Sequence, residues 1–387
     1  MKRSLLLLLA FLLCIGLFTA CDQSPDTNEQ TTDPQSEAPT FGAELTTQES
    51  TTDSETLAKQ TYVPATDTAH FKQHGRLFAV AGGRLGCDHV MSGLEFEGLL
   101  YGDVLLQLSV TADTYFTVFI DGERSEQRLY ASPTTSELIL ATFDTPEVHN
   151  VRVLKQTESQ HSLCTIGTLT VTGELYDAPS AKSLYIEVLG DSITCGYGCL
   201  GKPNSENPGG AEWHDGTQTY AALSVLALDA DCSVISASGI GISKGFPSFL
   251  MQQFYEKTSY IRDSVSGTSD YTFDRVPDAV VINLGTNDYT QGAEEQAYKD
   301  GVRALITYIR TVYGKDVPIV WVHNMMGQCR FSWTNAVLEE MGGEQADLYT
   351  VGTTINQKGT HGHPDLQGHS AAADKLTAKL KEILQAE

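Results

Sequence analysis

Basic residues are scarce in this chain. Its 25 lysines and arginines face 49 aspartates and glutamates, a formal charge of −24. That deficit argues against nucleic acid as a partner, because holding a phosphate backbone needs a cationic face. Beyond residue 20 there is no long apolar run of the kind that spans a bilayer. Tryptophan is limited to Trp213, Trp321 and Trp333. Eight cysteines are present, but none forms a CxxC pair or a zinc-ribbon spacing, which removes zinc-finger classes from consideration. Six remain after Cys14 and Cys21. Pairing of Cys87 with Cys164 and of Cys195 with Cys199, or a set of buried free thiols, are all open readings.

The N-terminus departs from this pattern. "MKRSLLLLLAFLLCIGLFTAC" has a basic start, an apolar centre and small residues before Cys21, the plan of a signal peptide over 1–20. Its end resembles a bacterial lipobox, which makes Cys21 the expected lipidated residue and the membrane a partner through that anchor. Cleavage without lipidation and an uncleaved membrane anchor are the competing readings. Residues 21–65 are rich in Thr, Ser, Gln, Pro, Asp and Glu, with too little apolar surface to offset ordering. An unfolded acidic tether is expected there.

Two rhythms follow. Over 66–178, "DVLLQLSV", "TYFTVFIDG", "SELILATF", "HNVRVLKQ" and "GTLTVTGEL" read as short strands. Asp121-Gly122 is a hairpin signal. The segment is expected to be an all-β antiparallel sandwich. Over 182–387, "SLYIEVLG", "CSVISAS", "DAVVINLG" and "VPIVWVH" alternate with helical patterns. The last of these, "GHSAAADKLTAKLKEILQ", places Leu376, Leu380, Ile383 and Leu384 on one face. Apolar strands with intervening helices predict an α/β three-layer domain with a parallel sheet, whose sites lie at the carboxyl ends of its strands.

Those ends carry chemistry. The first strand runs into Gly190-Asp191-Ser192, the second into Ser238-Gly239-Ile240-Gly241 and the third into Gly285-Thr286-Asn287-Asp288. "HGHPDLQGH" precedes the last helix. A serine needs a base to become a nucleophile, and a histidine titrating near neutrality can take and return the proton. A backbone N–H and a side-chain amide can stabilise the oxyanion.

These four blocks, in this order over 187–384, resemble the SGNH (GDSL-like) hydrolases, which have a flavodoxin-like sheet. A preceding β-sandwich narrows the resemblance to carbohydrate esterase family 2, a jelly roll joined to an SGNH domain. The resemblance implies metal-independent removal of O-acetyl groups from plant polysaccharides or oligosaccharides, by a secreted bacterial enzyme acting through an acyl-serine. By position it implies Ser192 as nucleophile and His363 as base. The oxyanion hole would be Ser192 N–H, Gly239 N–H and the Asn287 amide, with Gly241 competing for Gly239's role.

The aspartate usual two or three residues before the histidine is absent. Thr360 and His361 stand there, so a backbone carbonyl or a group distant in sequence must orient His363. Asp191 reads as a turn residue, His361 as a neighbour and His369 as packing or capping. His361, His363 and Asp365 have a spacing too common to assign a metal, and no cofactor is expected. Trp213, Tyr289 and Trp333 are candidates for stacking on a sugar, while Trp321 reads as core. A monomer is expected. Other acyl substrates (lipid, thioester, cell-wall O-acetyl) and a catalytically weak carbohydrate-binding lipoprotein are the alternatives.

Overall fold

The computed structural model describes residues 57–260 and 265–386. The signal-peptide reading, Cys21 and most of the tether lie outside the described residues; the end of the expected tether is not unfolded, because Lys59–Tyr62 pairs as a strand with Leu169–Thr172.

The first half of the described chain is built from strands. They are β1 (Lys59–Tyr62), β2 (Lys72–His74), β3 (Leu77–Val80), β4 (Arg84–Cys87), β5 (Gly93–Val110), β6 (Thr114–Ile120), β7 (Glu123–Arg124), β8 (Leu129–Ala131), β9 (Glu137–Lys155) and β10 (Cys164–Leu175). All pair antiparallel in the order β3-β4-β10-β5-β9-β6-β7, with β1 on β10, β2 on β5 and β8 on β6. Alternation drives this. Leu94, Phe96, Leu100, Val104, Leu106, Leu108 and Val110 of β5 are buried on the same side of one apolar cluster.

Two predicted strands, "SELILATF" and "HNVRVLKQ", are the two ends of β9. The register against β5 shifts where Leu100 faces Glu147 and Gly102 faces Phe143. That irregularity accommodates Pro146, which has no N–H to give to a ladder. Asp121 and Gly122 both have positive φ, 53° and 87°, as the hairpin from β6 to β7 requires.

The second half holds a parallel sheet of β11 (Tyr185–Gly190), β12 (Asp231–Ser236), β13 (Ala279–Asn283), β14 (Ile319–His323) and β15 (Leu348–Gly352), in the order β12-β11-β13-β14-β15. Helices α1 (Ser192–Cys195), α2 (Tyr220–Ala227), α3 (Met251–Tyr255), α4 (Thr286–Thr290), α5 (Glu295–Tyr313), α6 (Phe331–Glu340) and α7 (Leu366–Leu384) intervene. One apolar cluster joins the sheet to α5 and α6, and another joins it to α2 and α7. The strand order reverses between β11 and β13. A crevice opens at the carboxyl ends there, the usual ligand position in such sheets.

The halves share a core. Val90, Met91, Phe119 and Leu154 join the α2/α7 cluster. Arg76 and Glu187, both with wholly buried side chains, form an ion pair between the halves, and Tyr255 and Tyr313 donate their hydroxyls to Glu187. The described residues form one compact unit.

The six cysteines of the described region are free thiols. Cys87 and Cys164 sit side by side on paired strands, and the Cys87 thiol lies 3.3 Å from Ser92 Oγ. Cys195 donates to Ser236 Oγ at 3.2 Å and Cys199 to the Asp215 carbonyl at 3.7 Å, so each has its own partner. Among the described residues no helix is long and apolar enough to cross a membrane.

Candidate active site

β11 ends abruptly. A Cβ on Gly190 would collide with the Thr194 side chain, so only glycine lets the chain turn directly into α1. Asp191 caps that helix, accepting from Ile193 N–H at 3.0 Å. This leaves Ser192 at the first helical position, where its N–H has no intrahelical acceptor. Burial pushes the Asp191 carboxyl up to about 7.

The chain returns to this point through a turn before α7. His363 Nε2 lies 2.8 Å from Ser192 Oγ. Its Nδ1 faces the Thr360 carbonyl at 3.3 Å, in the place a carboxylate would hold. Thr360 is itself fixed. Its N–H donates to the Gly198 carbonyl at 3.1 Å and its hydroxyl to the Pro208 carbonyl at 2.8 Å. Of the two sources open for orienting His363, the backbone carbonyl is the one present. Burial lowers the His363 pKa to about 4, so the ring is a neutral base at neutral pH.

The turn after β12 brings up Gly239, with φ 79°. Glu158, buried at 1% exposure, reaches across from the loop after β9. It accepts from Ser238 N–H at 2.8 Å and from Ser238 Oγ at 2.6 Å. The rest of the turn hangs on Asp288, which accepts from Ile242, Ser243 and Lys244 N–H and from Ser243 Oγ at 2.8–2.9 Å. Asn287 Nδ2 donates to the Ile240 carbonyl at 2.8 Å and to Asp191 Oδ2 at 3.2 Å.

These elements enclose a cavity of about 500 Å³. Ser192, Gly239, Asn287 and His363 all line it, and Gly241 does not. His361 also lines it, but its Nδ1 is bonded to the Tyr197 hydroxyl at 2.8 Å. Asp365 caps α7, accepting from Gly368 N–H at 2.9 Å, so it does not gather with the two histidines. His369 is buried and its Nδ1 accepts from Tyr220 N–H at 3.2 Å, capping α2.

The aromatic candidates fare differently. Trp213 donates its indole N–H to the Glu206 carbonyl at 3.0 Å and is not in the cavity wall. Trp333 packs on Tyr298 with centroids 5.9 Å apart, because α6 turns it toward the core. Tyr289 is 45% exposed beneath Arg330, just outside the wall. Trp321 is core. The aromatic rings that do line the cavity, beside its histidines, are Tyr197 and Phe246, the latter 65% exposed. Nothing in the spacing marks Phe246. Tyr197, five residues after the serine, could have been suspected from the motif's own length.

Residues 82–179 match the family Carbohydrate esterase 2 N-terminal, and residues 186–326 match GDSL-like Lipase/Acylhydrolase. The cellulase/esterase CelE of Acetivibrio thermocellus is 29% identical over 312 residues, 76% of this chain and 37% of that protein. The chain therefore spans just over a third of that relative's length. An acetylxylan esterase / glucomannan deacetylase of Cellvibrio japonicus is 23% identical over 288 residues, 71% of this chain and 78% of that one. A solved family two carbohydrate esterase from Clostridium thermocellum, in complex with cellohexaose, superposes with a TM-score of 0.73 at 25% identity, covering 81% of this chain and 99% of that one. The chain thus unites a carbohydrate esterase 2 N-terminal domain with a GDSL-like hydrolase domain, the architecture of the family 2 carbohydrate esterases that it resembles.

Proposed function

We propose that this protein is a serine esterase that removes O-acetyl groups from carbohydrate, a plant polysaccharide or its oligosaccharides. The observation that carries this reading is the 2.8 Å contact between Ser192 Oγ and His363 Nε2 inside a cavity that Gly239 and Asn287 also line. Ser192 Oγ attacks the acetyl carbonyl while its proton passes to His363 Nε2. The oxyanion is met by the N–H groups of Ser192 and Gly239 and by Asn287, which gives up its longer bond to Asp191. His363 returns the proton to the sugar oxygen as the C–O bond breaks. Water, deprotonated by the same ring, then frees acetate from Ser192. The Thr360 carbonyl holds the Nδ1–H tautomer and faces the imidazolium that forms.

The surroundings fit this use. The N-terminal strands are read as a jelly-roll sandwich over 66–178 that supports the hydrolase domain over 182–387. A signal peptide over 1–20 and a lipid on Cys21 would place the enzyme outside the cell, tethered to the membrane and acting as a monomer. Hydrolysis of 4-nitrophenyl acetate and of acetylated xylan or mannan tests the function. Both activities are expected, and both should vanish in Ser192→Ala. Full activity in that variant would overturn the mechanism, and activity confined to long-chain acyl esters would overturn the substrate class.

A further inference from the structure

The loop after β9 and the loop before α2 meet behind the serine cavity. There Glu158, His161 and His214 each present a donor atom, and the three atoms lie within 4.8 Å of one another. His214 has 0% exposure, yet neither of its ring nitrogens has a hydrogen-bond partner. Buried polar groups are almost always paired, and leaving two unpaired is costly. Its neighbours are rings, His161 at 4.6 Å and Tyr197 at 4.3 Å between centroids, which do not satisfy either nitrogen in plane. Glu158 spends one bond per carboxylate oxygen on Ser238, which leaves lone pairs on both. His161 is half-buried and lines a separate cavity of about 460 Å³.

We propose that Glu158, His161 and His214 form a binding site for one zinc-class divalent ion, with water as the fourth ligand. Two imidazoles and a carboxylate suit borderline transition ions, whereas calcium and magnesium prefer all-oxygen shells. Tetrahedral bonds of about 2.0–2.2 Å put donors about 3.4 Å apart, so each donor moves inward by less than about 1 Å to close on the ion. The site is separate from the reacting pair. The Tyr197 ring contacts both His214 and His363, the latter at 4.6 Å. The ion ties the loop after β9 to the loop before α2, and through Glu158 it braces Ser238. It is a staple and takes no part in ester cleavage.

The test uses the full chain, stripped with EDTA and dialysed, then titrated with zinc chloride by calorimetry. Cobalt(II) added separately reports coordination number by its d–d absorption. One zinc per chain at micromolar or tighter affinity is expected, with a four-coordinate cobalt spectrum. Binding should weaken by at least about a hundredfold in His161→Ala and in His214→Phe, and should persist in His361→Ala. Should His214→Phe fail to fold, His161→Ala at its half-buried position decides the matter. No binding by the wild-type chain, binding that survives both ligand variants, or binding lost in His361→Ala would each overturn the proposal. None of these readouts depends on esterase activity.

Discussion

His363 works in the mechanism above without a carboxylate beside it. A backbone carbonyl fixes its tautomer but adds no full negative charge to hold a proton on the ring. Burial then dominates and sets the pKa at about 4 rather than 6.5. The base is active when neutral, so kcat/KM on 4-nitrophenyl acetate should hold from pH 7 down to pH 5 and fall only near pH 4. An acid limb at 6.5 would contradict this. His363→Ala should remove activity and His361→Ala should keep most of it, as steady-state rates will tell. Asn287→Ala should lower kcat by about 100- to 1,000-fold with KM little changed, if its amide meets the oxyanion. That Ser192, Gly239 and Asn287 would gather was legible because the sheet fixes where strand-end residues go, and His363 joins them from the turn before α7. A backbone carbonyl was one of the two readings for orienting His363, but that Thr360 supplies it was not legible, because a backbone acceptor leaves no mark in residue type. Trp213 and Trp333 misled for the converse reason. Their residue type suggested a sugar platform, but local turns aimed one ring at the Glu206 carbonyl and the other at Tyr298.

At the level of elements, two carboxylates hold the turn after β12 from opposite sides. Asp288 comes from α4 and Glu158 from the strand-rich half. Replacing the fully buried Asp288 by Ala strands four donors, and should cost about 3 kcal/mol in urea unfolding. Glu158→Gln keeps the volume but weakens both bonds to Ser238. In the metal-free chain it should reduce kcat about tenfold while KM and the melting temperature move little, the split expected of a positioning residue. An equal loss in stability would assign Glu158 a structural role only. Elements themselves were partly legible. Four of the parallel strands announced themselves by apolar runs; the edge strand β15 went unpredicted because its LYTVG is short and only partly buried. β9 read as two strands because Pro146 and its polar neighbours interrupt the alternation, and the paired β5 that carries the irregularity is distant in sequence.

Across the whole molecule, burial pushes six histidines toward the neutral form. His74, His89, His214, His323, His363 and His369 all have lowered pKa values, with burial the largest cause in each. An unfolded histidine binds a proton near 6.5, so unfolding takes up protons below that pH and stability drains away as pH falls toward about 4. Asp88 and Asp191 act in the opposite sense. Burial raises them to about 6 and about 7, so they favour the fold on acidification. Six groups against two leave the histidines in control. The melting temperature should fall between pH 6.5 and 4, with net proton uptake on unfolding in calorimetry. A flat or rising profile would refute this balance.

The Arg76–Glu187 pair has a bearing on how such a protein can be rearranged. Each charge has its counter-ion on the other half, and both side chains are sealed from water. Cutting the chain between the two sheets would leave a lone carboxylate on β11 and a lone guanidinium in the strand-rich piece, a penalty far above that of an exposed pair. The same cut would bare Val90, Met91, Phe119 and Leu154. The two halves therefore travel through recombination as a single cassette. A swap that replaces one of them succeeds only if the incoming half brings its own answer to Arg76 or Glu187.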